Sequence, residues 1–214
     1  MLRVCIPTIR SFDTLRTCIE SLHESSVRPD RIDIIDNSVG LLTLPDYEIP
    51  VTITVPKKNL GCAASWNAFY AMQPHTGSII ISNDDVTFHT DTIQAMLSER
   101  DLGYGLVYPN INQESMFSLF LLQRWAYNEV GPFDENFYPA YFEDNDYFYR
   151  MKLKGVNWHS CAAGYDHAIS STLRLYTPYE RSKHDLQHRA NEMYYVTKWG
   201  GTPRHETFRT PFNA

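Results

Sequence analysis

The chain has 214 residues, a length that suits one domain with a single large core. Hydrophobic residues at 43% and aromatics at 14% exclude a disordered chain, and no apolar run reaches the roughly 18 residues of a membrane span. Net charge is −6 but uneven: residues 1–173 hold 12 Lys+Arg against 21 Asp+Glu, and residues 174–214 hold 7 against 4. The acidic body argues against tight non-specific nucleic-acid binding, which needs a basic footprint.

In chain order, Leu2–Ile6 is expected as a short strand ended by Pro7-Thr8, and residues 13–25 have helical periodicity, with Ser11 or Asp13 as cap. The opening Met1–Pro7 is broken too soon for a signal-peptide core. Arg31–Asp36, Val51–Val55 and Ser78–Ser82 read as strands, and Gly61–Met72 and Thr90–Arg100 as helices. Phe117–Arg124 is open between strand and helix. Tyr141–Lys154 predicts a helix, Val156–His159 a strand and Tyr179–Trp199 a long helix. Strands alternating with helices over the first hundred residues predict an α/β fold with a mainly parallel sheet in one domain, residues 1–110 forming one half and 111–214 the other. Cys5, Cys18, Cys62 and Cys161 form no CxxC pair, which fits reduced thiols and a cytoplasmic location.

In open parallel sheets ligands bind beyond the carboxyl ends of the strands. Those ends read Pro7-Thr8-Ile9-Arg10, Asp36-Asn37-Ser38, Lys57-Lys58-Asn59-Leu60-Gly61 and Asn83-Asp84-Asp85. Each taken alone is an ordinary turn; four in succession predict a cleft. Adjacent carboxylates such as Asp84 and Asp85 repel unless a cation joins them, and oxygen-rich sites suit Mg²⁺ or Mn²⁺. A second acidic element, Glu143, Asp144 and Asp146, lies among Tyr141, Phe142 and Tyr147, after the turn Gly131-Pro-Phe-Asp-Glu.

The order Pro-Thr-x-Arg, Asp-Asn-Ser, Asn-x-Gly, Asn-Asp-Asp, Gly-x-Phe-Asp-Glu and Glu-Asp-x-Asp-x-x-x-Arg resembles family 2 glycosyltransferases of the GT-A fold over roughly residues 2–165. The segment Tyr194–Gly201 with Pro211-Phe-Asn is similar to small stand-alone members met in viruses and phages. The resemblance implies that Asp36 reads a nucleobase bearing a ring N–H, uracil or thymine, with Pro7, Thr8 and Arg10 around the nucleoside. It implies that Asn59, Gly61 and Asn67 border the nucleotide. Asn83-Asp84-Asp85 matches the family's DxD position with Asn83 replacing the first acid. Asp85 is then the first metal ligand and Asp84 the second. Asp144 resembles the general base, and His167 stands where some relatives supply a metal ligand. The structural alternatives are a satisfied histidine at 167, an i,i+4 ion pair between Asp146 and Arg150, and core packing for Trp125, Tyr138, Tyr141 and Phe142.

The expected activity is inverting, metal-dependent transfer of a sugar from a UDP- or dTDP-type donor to a hydroxyl acceptor, a glycan in the first instance. The alternatives are a non-catalytic nucleotide-sugar or glycan-binding module and a sugar-phosphate nucleotidyltransferase. The latter normally has a glycine-rich phosphate loop, where this chain has Pro-Thr-Ile-Arg.

Overall fold

A computed structural model describes residues 1–73, 77–109, 116–168 and 171–214. The boundary between the two expected halves, at residue 110, lies outside the described residues. The chain begins with β1 (Arg3–Thr8), α1 (Phe12–His23), β2 (Arg31–Asp36), β3 (Val51–Thr54), α2 (Gly61–Met72) and β4 (Ser78–Ser82). It continues through β5 (Val86–Phe88), α3 (Thr92–Asp101), β6 (Leu106–Pro109), β7 (Leu119–Gln123) and α4 (Arg124–Val130). The last elements are α5 (Glu143–Lys154), β8 (Trp158–Cys161), β9 (Tyr165–His167), the single turn α6 (Ser171–Arg174) and the long α7 (Pro178–Trp199).

Among the described residues seven strands form one sheet in the order β3-β2-β1-β4-β7-β6-β8, and β5 pairs with β9 in a small antiparallel ribbon. β1 runs parallel to β2 and β4, β2 parallel to β3, and β8 parallel to β6; β7 is antiparallel to both its neighbours. The sheet is therefore parallel except for β7, and the expected α/β architecture holds. Thr8 pairs in register with Asp36, so the carboxyl ends of β1 and β2 finish level with each other.

The short apolar runs follow from burial on both sheet faces. Val4, Ile6 and Ile80 point to the face covered by α1 and α3, where Leu15, Ile19, Leu22, Ile93 and Met96 pack. Cys5, Ile79 and Ile81 point the other way, against Trp66, Phe69 and Tyr70 of α2 and Tyr147 and Met151 of α5. The ambiguous stretch 117–124 resolves as β7. Ser11 takes the N-cap of α1, but its side chain makes no capping bond; Thr14 Oγ1 instead donates to the Ser11 carbonyl at 2.9 Å. All four cysteines are free thiols. No helix among the described residues is long and apolar enough to cross a membrane.

The helix α7 starts at a capping box between Thr177 and Glu180, with Pro178 in its first turn, and is fixed at both ends. At its start Glu180 pairs with Arg10 at 2.6 Å. At its end the buried Lys198 lies 2.6 Å from both Asp134 and Asp146, and Trp199 Nε1 donates to Asp146 at 2.9 Å. Between them Asn191 donates to the carbonyls of Ala140 and Tyr141. The helix thus clamps the loop 134–142, which leads into α5.

Candidate active site

A cleft of about 500 Å³ opens at the carboxyl ends of β1 and β4. One wall carries Pro7, Thr8, Asn59, Gly61, Asn83, Asp84 and Asp85. A second wall carries Tyr141, Glu143 and Asp144, and His167 and, from the α6–α7 region, Tyr176 and His184 complete the lining. The two acidic elements, some sixty residues apart in sequence, face one cavity.

On the first wall Asp84 is buried and accepts a hydrogen bond from Thr8 Oγ1 at 2.6 Å. Burial pushes its carboxyl up to about 7, with the Asp85 charge adding to the rise and the Thr8 hydrogen bond opposing it. Asp85 follows at the turn into β5, and the β5–β9 ribbon sets Val86 opposite His167. His167 Nε2 consequently lies 3.0 Å from Asp85 Oδ1. Among the described residues no group of three or more His, Cys, Asp or Glu side chains is arranged to hold a metal ion. The Asp85–His167 pair brings one carboxylate oxygen and one imidazole together in the cleft lining.

Gly61 joins the two walls. Its φ of +77° is left-handed, and a Cβ there would meet the Pro139 carbonyl oxygen at 2.6 Å. The Pro139 carbonyl in turn accepts the Cys62 amide at 2.8 Å, so the loop before α5 rests on the start of α2. Asn59 Oδ1 accepts the Gly61 amide at 2.8 Å and shapes the same turn.

On the second wall, Tyr141 and Phe142 have φ of 78° and 72°, an unfavourable conformation for side-chain-bearing residues. It directs the first turn of α5 into the cleft. Glu143 is buried, and its Oε2 has no hydrogen-bond partner among the described residues. Burial, then the Asp144 charge, hold it well above the ordinary carboxylate range. Asp144 is partly exposed, accepts the Asn145 amide at 2.8 Å, and is raised by burial against that hydrogen bond. Asp146 points away from the cleft: it is fully buried and bonded to Arg150 Nε at 2.8 Å, as an i,i+4 pair, as well as to α7.

Three residues expected around the nucleotide do not line the cleft. Asp36 is fully buried, and its two oxygens accept the amides of Ser38, Gly40 and Leu42 and the Ser38 hydroxyl, so it organises the 38–42 loop. The neighbouring Asn37 reaches the cleft instead. Arg10 is drawn off by Glu180, whose carboxyl this contact holds down at about 2. Asn67 is consumed by the 133–135 turn, donating to the Phe133 carbonyl and Glu135 and accepting the Phe133 amide at 2.8 Å. Of the four candidate aromatics, Tyr141 lines the cleft, Phe142 packs with Phe137 and Tyr195, and Trp125 and Tyr138 are exposed outside it. The sequence reading missed Tyr176 and His184; a histidine on an otherwise solvated basic helix was the one available signal.

Residues 3–172 match the family described as Glycosyl transferase family 2. The chain belongs to that family. A segment of 52 residues is 46% identical to a galactofuranosyl glycosyltransferase of Leishmania donovani, covering 24% of this chain and 12% of that protein. Among solved structures, the fold is similar to the mannosyltransferase PcManGT from Pyrobaculum calidifontis in complex with GDP-Man and Mn²⁺ (TM-score 0.59, 13% identity, 90% of this chain and 64% of that one). It is also similar to S. aureus TarS (TM-score 0.60, 12% identity, 91% of this chain and 39% of that one). The chain thus spans only part of the length of these relatives, and at such identities the structural likeness bears on the fold alone. None of these three proteins is viral, so the viral likeness of the C-terminal segment gains no support from them.

Proposed function

We propose that the chain is an inverting glycosyltransferase using a nucleoside-diphosphate sugar and a divalent cation. The observation that carries this reading is that the Asp85–His167 pair and Asp144 line one cleft. Asp144 takes the proton of the acceptor hydroxyl as its oxygen attacks the anomeric carbon; a carboxyl raised by burial is a stronger base for that step. The carbon–oxygen bond to the diphosphate breaks as the new bond forms on the opposite face, and the configuration inverts.

A hard oxygen beside an imidazole suits Mn²⁺ or Mg²⁺, ions that retain waters and take further ligands from phosphates. Asp85 and His167 would hold the ion, with the buried Asp84 behind them. When bound, such an ion neutralises the charge developing on the leaving diphosphate. Pro7, Thr8, Asn59, Gly61 and Asn83 bound the donor side of the cleft. With both Asp36 oxygens engaged by its own loop, that residue gives no ground for preferring uracil or thymine. The proposal therefore covers nucleoside-diphosphate sugars generally, with a glycan hydroxyl as acceptor.

A thermal-shift panel of nucleotide sugars with and without Mn²⁺ tests the reading. A donor at a hundred times its Kd adds about 2.7 kcal/mol, and about 2–4 °C per kcal/mol for a chain of this size gives a rise of roughly 5–11 °C. The rise should require Mn²⁺ or Mg²⁺. A panel in which no nucleotide sugar shifts Tm with either metal overturns the proposal, and binding without transfer or donor hydrolysis would favour a non-catalytic module.

A further inference from the structure

We propose that the recess between Tyr141 and α7 is an acceptor subsite that selects a sugar carrying an acidic group, phosphate or carboxylate, away from its reacting hydroxyl. The inference rests on the transferase reading and names the substrate class of that site. The recess, of roughly 370 Å³, is bounded by Tyr141, His184, Asp185, His188 and Arg189. It shares Tyr141 and His184 with the main cleft, and Tyr141 lies on the wall that carries Asp144. A molecule whose hydroxyl meets Asp144 therefore extends past Tyr141 into the recess.

The recess is built rather than incidental. His184 and His188, one helical turn apart, hold Tyr141 edge-on at centroid distances of 5.2 and 5.0 Å. His188 packs in the same way on Phe142 at 5.2 Å. Asn191 fixes the Tyr141 carbonyl at 3.2 Å, so the ring is held in place from both the main chain and the side chain.

Its chemistry favours an anion. Asp185 is the one carboxylate of the recess and lies 3.2 Å from His184 Nδ1. Among the described residues His184 Nε2 is buried without a hydrogen-bond partner, and Arg189 is exposed. The recess thus offers the Arg189 guanidinium and the His188 imidazole as polar partners, while its one carboxylate is engaged by His184. The main cleft, in contrast, is lined by Asp84, Asp85, Glu143 and Asp144. An acidic group on the acceptor is received by Arg189 in the recess, which orients the molecule with its hydroxyl toward Asp144.

The test uses the full chain with Mn²⁺ and a donor from the thermal-shift panel. Transfer is compared among a simple alkyl glycoside, its 6-phosphate and the corresponding uronic acid. The acidic acceptors should have KM lower by about tenfold or more, the size of one charge-assisted hydrogen bond. Arg189→Ala should raise that KM by a similar factor with a smaller change in kcat, and Arg189→Lys should recover part of the loss. Preference for the phosphate or for the uronate identifies which acid the subsite takes. Equal or better use of the neutral glycoside, or acidic-acceptor kinetics indifferent to Arg189→Ala, overturns the proposal. A parallel titration of glucose 6-phosphate against glucose, read from the ring-proton resonances of His184 and His188, needs no turnover. If no donor is consumed with any acceptor, the transferase reading falls while this titration still decides the subsite: shifts with the phosphate alone support it, and equal or absent shifts overturn it.

Discussion

Replacing Asp146 by alanine should unfold the C-terminal clamp, although the residue sits two positions from the proposed base. The fully buried carboxylate accepts from Arg150 Nε at 2.8 Å and Trp199 Nε1 at 2.9 Å, and Lys198 Nζ lies 2.6 Å away. Removing one partner of a buried ion pair costs about 3–5 kcal/mol, and an orphaned indole N–H adds about 1–3. Lys198 keeps Asp134 at 2.6 Å and Arg150 keeps the Val130 carbonyl at 2.9 Å, which limits the loss. A net cost of about 4 kcal/mol is expected. At about 2–4 °C per kcal/mol the melting temperature should fall by roughly 8–16 °C. Thermal unfolding followed by circular dichroism reads this directly, with Asp144→Asn as the matched control. Asp144 is partly exposed and, among the described residues, its side chain accepts from the adjoining Asn145 amide, so the Tm of the variant should stay within about 2 °C of wild type. A loss below about 2 °C for Asp146→Ala, or equal losses for the two variants, would refute the division between a structural and a chemical acid.

Further expectations concern pH and the joint between the walls. Because Asp144 is raised and must be ionised to act, the acid limb of kcat/KM should lie above the ordinary aspartate value of about 4; a limb at or below 4 in a pH–rate profile would count against it. Glu143 has a folded pKa raised well above its unfolded one, so its contribution to stability is complete below the unfolded value and is lost as pH rises through the folded value. Glu143→Gln should remove that loss, making the variant's stability relative to wild type improve with rising pH in denaturant titrations. Gly61→Ala meets both a positive φ and the Pro139 oxygen, and should cost about 1–3 kcal/mol by denaturant unfolding. A neutral result there would mean the α2–α5 loop contact is not needed to set the cleft.

What could be read in advance was local. Arg31–Asp36, Gly61–Met72 and Ser78–Ser82 are bounded in the structure where the sequence placed them, because an apolar run or helical period ends there at a polar turn. The placement of Asp84 and Asp85 at a cleft was legible because strand ends of a parallel sheet converge, whereas Asp144 was expected there from the acidic, aromatic cluster and the family resemblance. The three-residue strands β5 and β9 were not, being too short to show a period, yet they bring His167 to Asp85. Asp36, Arg10 and Asn67 stand outside the cleft lining for a common reason. Each has a competing partner: Asp36 turns back on amides two to six residues ahead, Asn67 reaches residue 133, and Arg10 reaches residue 180. The Asp36 turn is ordinary Asx chemistry and visible in the sequence as the alternative reading. The other two depend on contacts more than sixty residues away, as does the Asp134–Lys198 bond that seats α7 on the loop before α5.

The most direct test is the transfer rate of Asp144→Asn at donor saturation, with saturation established by titrating the nucleotide sugar and Mn²⁺ into the same preparation. The account predicts wild-type donor affinity and a rate lower by about 10²–10⁴, the usual worth of a positioned general base. A rate equal to wild type at full donor occupancy would contradict it.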